Sequence, residues 1–112
     1  MNQIKLKRIE SQILREVSDI IMNEARDNAI KDITITGCEV TNDLSFAKIY
    51  FTTQGDKQVV LKDLSEASGY IRGELAERIE IRHTPKLKFV YDESIEYGER
   101  IESIISEIHE NN

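Results

Sequence analysis

Residues 33–53 read ITITGCEVTNDLSFAKIYFTT, and the fold turns on how this stretch divides. Ile33-Thr34-Ile35-Thr36 alternates apolar and polar side chains, all of them β-branched, as a half-buried strand does. The alternation slips by one residue at Gly37, and Cys38 and Val40 then hold the apolar phase. A slip at a glycine predicts a β-bulge. Thr41-Asn42-Asp43 is turn chemistry, because short polar side chains bond the neighbouring backbone. From Leu44 to Thr53 the alternation resumes, with Ala47, Ile49 and Phe51 on one face and Phe46, Lys48 and Tyr50 on the other. Two such strands joined by a short polar turn predict an antiparallel hairpin.

Upstream, residues 3–24 have helical periodicity. Leu6, Ile9, Ile13, Leu14, Val17, Ile20 and Ile21 fall on one core-facing stripe, and Lys5, Arg8 and Arg15 share a different arc. This helix should fade at Arg26-Asp27-Asn28. Downstream, Asp56 is placed to cap a helix with apolar positions Val59, Val60, Leu64 and Ala67. Ala67-Ser68-Gly69 then reads as an interhelical kink, followed by a second helical stretch carrying Ile71, Leu75, Ala76 and Ile79. Pro85 stops any helix before it. Leu87, Phe89 and Tyr91 alternate with Lys86, Lys88 and Val90 as a third strand. Residues 95–110 look helical again, with Ile101, Ile104, Ile105 and Ile108 on one stripe and Ser94 or Asp92 as a cap. The expected architecture is α+β, in the order αββααβ plus a C-terminal helix, with a three-stranded sheet carrying its helices on one face. Residues 1–94 form the expected domain, and 95–112 an acidic helical extension.

At 112 residues the chain is one domain's length. It is 39% hydrophobic and 32% charged, which describes a soluble globular protein and not a disordered one. No apolar run is long enough to span a membrane. The start of the chain scatters charges through its apolar positions, unlike a signal peptide. The single cysteine, Cys38, has no internal disulfide partner, and a cytoplasmic location is expected.

The net charge of −6 argues against nucleic acid as a partner until its distribution is examined. Residues 93–112 hold one basic group, Arg100, against six glutamates, so that the other 92 residues carry only −1. Two basic concentrations stand out. Lys5, Arg8 and Arg15 line the first helix, and Arg72, Arg78, Arg82, Lys86 and Lys88 surround the turn at Pro85. Such groups meet phosphate oxygens and displace counterions. They also suit a solvated surface with local ion pairs, such as Glu74 with Arg78 one helical turn apart. Catalysis has no comparable support. His83, His109 and Cys38 lack zinc-ligand spacing, and no nucleophile-elbow, P-loop or dinucleotide motif occurs. Asp43 reads as a turn residue, Asp92 as a strand-end cap and Cys38 as a small apolar strand residue. No enzyme activity, metal or cofactor is expected.

The order of these pieces resembles the ribosome-binding factor A family, which has the bacterial type of K-homology fold. The resemblance begins with the basic helix ending in Asn23-Glu24-Ala25-Arg26-Asp27. It continues through Ile33-Thr34-Ile35-Thr36 and the segment from Asn42 to Tyr50. It is most specific from Ala67 to Ala76 and from Ile81 to Asp92. It implies a non-enzymatic assembly factor that binds the immature small (30S) ribosomal subunit and its 16S rRNA. Such a factor assists late maturation and rRNA end processing, and matters most in the cold. It also implies that Ala67-Ser68-Gly69 is the kink replacing the RNA-clamping GXXG loop of ordinary K-homology domains. No small-molecule substrate and a monomeric state are expected. The other reading is a protein-interaction module of the same fold, without direct RNA contact.

Overall fold

The computed structural model describes residues 2–24 and 32–94. Helix α1 spans Gln3–Glu24, strand β1 Ile33–Val40, strand β2 Phe46–Thr53, helix α2 Lys57–Arg78 and strand β3 Lys86–Tyr91. The helix expected over residues 95–110, and the expected end of α1 at Arg26-Asp27-Asn28, lie outside the described residues.

Helix α1 starts at Asn2, whose Oδ1 accepts the Ile4 N–H at 2.7 Å. Its stripe buries Leu6, Ile13, Val17, Ile20 and Ile21, with Ile9 packed at the margin. Strands β1 and β2 pair antiparallel, as the hairpin pattern predicts. Ile35 stands opposite Phe51 and Gly37 opposite Tyr50, leaving Thr36 as the extra residue of the bulge. Strand β3 runs parallel to β2, with Lys86 beside Phe46, and β2 is central in the order β1-β2-β3. A parallel pair needs a long crossover, and α2 supplies it. Helix α1 lies over β1, α2 over β3, and the two helices touch. Ala47, Ile49 and Phe51 of β2, each fully buried, form the floor of the core between them.

One helix stands where two were expected. Helix α2 runs unbroken through Ala67, Ser68 and Gly69. Its buried residues are Val60, Leu64, Ile71 and Leu75, and Ala67 packs at the core margin. That spacing is a single helical stripe that passes straight through the Ser-Gly pair. Gly69 is exposed and Ser68 bonds locally, donating its hydroxyl to the Ser65 carbonyl at 2.8 Å. Val59, 50% exposed, and Ala76, also exposed, lie off the stripe and are not core. At the N-terminus Asp56 caps as expected, accepting from the Gln58 and Val59 N–H groups at 2.9 and 3.3 Å.

A Cβ placed on Gly69 would meet no atom within 4 Å. Gly69 is therefore not a close-approach residue, and a glycine at an exposed helical position is only a liability. Gly69→Ala should stabilise the fold by about 0.5–1 kcal/mol, read as a higher midpoint in urea unfolding. A lowered midpoint would show that the helix needs the glycine after all.

Candidate nucleic-acid interface

The β1–β2 turn, the first turn of α1 and the connection from α2 to β3 meet at one end of the molecule. Lys5, Asn42, Asp43, Leu44, Arg82 and His83 line a single open cleft there. The turn is built locally. The Leu44 N–H bonds the Thr41 carbonyl at 2.9 Å, and Thr41 N–H bonds the Phe46 carbonyl at 3.0 Å. Leu44 then adopts a left-handed backbone, φ 63°, so strand β2 begins at Phe46 and not at Leu44. A leucine rarely takes that conformation. Here its side chain is 4% exposed and belongs to the core, which offsets the backbone cost.

Asp43 holds the turn, as expected. Its Oδ1 accepts the Ser45 N–H at 3.0 Å and the Thr41 hydroxyl at 2.8 Å. Hydrogen bonds from Ser45, then Thr41, hold its carboxyl down at about 2. A depressed carboxyl supports the fold above its unfolded value near 4. That support fades only as the pH falls from about 4 towards 2. Asp92 works in the same way at the other end of the sheet. It accepts the Ser94 N–H at 3.0 Å and, through its second oxygen, the Thr36 hydroxyl at 2.6 Å. Bonds from Ser94, then Thr36, depress its carboxyl.

The eight basic residues singled out in the sequence separate into four pairs. Lys5 and Arg82 meet in the cleft. Lys86 opens β3 beside the same turn, its N–H bonded to the Ser45 carbonyl at 2.9 Å, and Lys88 follows on the same sheet face. Arg8 lies one turn along α1 from Lys5, and Arg15 about 15 Å along it. All six of these side chains are exposed, and none forms an ion pair with another described residue.

Arg72 and Arg78 serve the fold. The Arg72 guanidinium grips the Thr84 carbonyl through Nε and Nη2, at 3.2 and 2.8 Å, and ties α2 to the connection before Pro85. Arg78 Nη1 lies 2.6 Å from Asp19 and 3.3 Å from Glu16 on α1. These carboxylates share the arc of Lys5 and Arg8 but lie further along the helix, so the basic character of this flank ends near mid-helix.

Lys48 went unremarked among the basic residues of the sequence. It occupies the central strand directly beside Lys88, with Phe46 next to Lys86. The signal was present, since strand alternation places Phe46, Lys48 and Tyr50 together on the face away from the core.

Cys38 is half-buried on β1. Burial, and then the charges of Glu10 and Glu39, push its thiol up to about 12. The thiolate is the reactive form. Cys38 should therefore resist a disulfide-exchange reagent at pH 8 in the native protein and react rapidly once the chain unfolds. Equal rates in the two states would contradict this assignment. Among the described residues no cluster of three metal-ligating side chains occurs.

Comparison with known proteins agrees with this architecture. The sequence profile of ribosome-binding factor A matches residues 5–105. The ribosome-binding factor A of Staphylococcus epidermidis is 46% identical, covering 99% of this chain and 98% of that one. That of Limosilactobacillus fermentum is 41% identical over 98% and 95% of the two chains. In the crystal structure of the Thermus thermophilus protein, at 23% identity, the match spans 77% of this chain and 94% of that one, with a TM-score of 0.73. A homology model of the same Thermus protein, fitted into a cryo-electron microscopy map of its complex with the 30S subunit, gives a TM-score of 0.67. Identity is 23%, over 77% of this chain and 93% of that one. The profile match and the near full-length identity to curated relatives together show that the chain belongs to the ribosome-binding factor A family.

Proposed function

We propose that this chain binds the immature small ribosomal subunit through its 16S rRNA and steadies it during late maturation and rRNA end processing, without catalysing a reaction. In this reading the chain is a cytoplasmic monomer that matters most at low temperature, when misfolded RNA rearranges slowly. Its fold is of the type II K-homology kind. Residues 1–94 are the RNA-binding domain and 95–112 an acidic extension that keeps most of the negative charge apart in sequence from the basic residues.

The observation that carries the reading is the convergence of Lys5, Arg82 and Lys86 from three separate segments on one end of a chain whose net charge is −6. Asp43 is the one carboxylate in the cleft, and its Oδ1 is held by Ser45 and Thr41, so the gathered cations outnumber it and favour a further anion as partner. The 30S complex described for the Thermus relative supports the same partner here. Contacts to phosphates on a folded RNA surface suffice and need no base reading.

Sedimentation tests the reading. The protein should travel with immature small subunits at low salt and leave them as salt rises, because phosphate contacts release counterions. Failure to comigrate at any salt concentration would contradict it. Comigration indifferent to salt would favour a protein partner instead.

A further inference from the structure

We infer that the open face of the sheet is a second RNA contact, on which Phe46 stacks an unpaired base while Lys48 and Lys88 take the flanking phosphates. This rests on the small-subunit reading and adds a surface to it. Both helices cover the other face, and Phe46 is left 51% exposed. Lys48 and Lys88 stand side by side on adjacent strands, and Lys86 stands beside Phe46. None of these three lysines forms an ion pair with a described residue. Phe46, Lys48 and Lys88 line one shallow groove, and Glu39 of β1 shares it, directly opposite Lys48.

Three observations together favour RNA over a merely solvated surface. Like charges directly opposite each other across a strand pair destabilise a sheet. Lysines on an edge strand guard it against aggregation, which accounts for Lys86 and Lys88 on β3, but Lys48 is on the central strand, where no edge needs guarding. The one carboxylate on this groove, Glu39, stands opposite Lys48 but turns an oxygen to the Tyr50 hydroxyl at 3.2 Å and forms no ion pair with that lysine, so one acidic group faces three lysines. What remains is an exposed aromatic ring framed by lysines, the combination that holds single-stranded nucleic acid: the ring stacks a base and the charges follow the backbone.

The chain contains no tryptophan, so Phe46→Trp creates a single fluorescent reporter on this face. Titration with a single-stranded RNA of about ten nucleotides should quench it saturably, because a stacked base quenches indole. Val59→Trp, at the exposed start of α2, should not respond. Phe46→Ala should weaken binding to immature small subunits roughly 5- to 150-fold, the loss expected for one stacked base. Phe46→Tyr, which keeps a stacking ring, should bind like the parent.

Absence of quenching would overturn the inference. So would an emission already shifted to short wavelength and unmoved by RNA, since another part of the chain would then cover the face. Equal subunit binding by Phe46→Ala and the parent would also overturn it, while leaving the small-subunit reading intact. Loss of subunit binding by the parent itself would instead remove that reading.

Discussion

A variant with alanine at Lys5, Arg82 and Lys86 is expected to fold like the parent and to lose a large share of the salt dependence of small-subunit binding. All three side chains are exposed and none forms an ion pair with a described residue, so truncating them removes nothing the fold relies on. Each phosphate left without its cation should flatten the slope of log affinity against log salt by about 0.7 for single-stranded and 0.9 for duplex geometry. Three such phosphates come to roughly 2–3 in slope. Between 50 and 200 mM salt the parent should therefore lose roughly 20- to 40-fold more affinity than the variant. The gap between them should be widest at low salt. Matching variants at Arg72 and Arg78 should behave differently. Removing Arg78 strips the partner from Asp19 and Glu16, and removing Arg72 frees the Thr84 carbonyl. Both should lower stability more than they change the salt slope. Parallel salt slopes for the parent and the triple variant would show that the cleft does not face RNA.

Phe51→Ala should give the largest loss of stability of any single truncation. Phe51 is fully buried at the middle of the sheet, between Ile35 on β1 and Tyr91 on β3. Its ring meets Tyr91 edge to face, with centroids 5.7 Å apart. Alanine there removes a large transfer term and leaves a cavity in the core over the central strand, costing about 3–5 kcal/mol. A domain of this size has only about 5–15 kcal/mol in total. The melting temperature should fall by at least about 12 °C, and a urea titration should show the same loss. Phe51→Leu, which refills most of the volume, should recover much of it. A fall of only a few degrees in the alanine variant would mean that the core is not centred on β2.

The hairpin was legible because its residues satisfy several local rules at once. Ile33 to Thr36 alternates, Gly37 marks the slip, and Thr41 to Asp43 are turn formers, and the register bears out each of these features. Asp56 was legible as a cap for the same reason. The division into two helices at Ala67-Ser68-Gly69 was misread because composition was weighed above phase. Val60, Leu64, Ala67, Ile71 and Leu75 form one uninterrupted stripe, and the Ser-Gly pair falls beside it, where packing makes no demand. Leu44 carried no local signal, since nothing in a leucine announces a left-handed backbone held by burial.

The basic residues illustrate a different limit. Sequence shows which side chains carry charge, but their partners come from segments far away along the chain. Arg78 reads as a helix-surface residue until α1 brings Glu16 and Asp19 to it across about 60 positions. Lys5 and Arg82 are likewise remote in sequence, and only the packing of α1 and the entry to β3 puts them in one cleft. Lys48 gained its meaning only when β3 was placed parallel to β2 with Lys88 beside it.

The central claim is that the end of the molecule carrying Lys5, Arg82 and Lys86 faces RNA. Site-specific photocross-linking on immature small subunits tests it most directly. A photoreactive group at Arg82 should cross-link to 16S rRNA. The same group at Gln58, exposed at the start of α2 near the opposite end of the sheet, should not. Cross-links to RNA from position 58 alone, or only to ribosomal protein from position 82, would contradict the account.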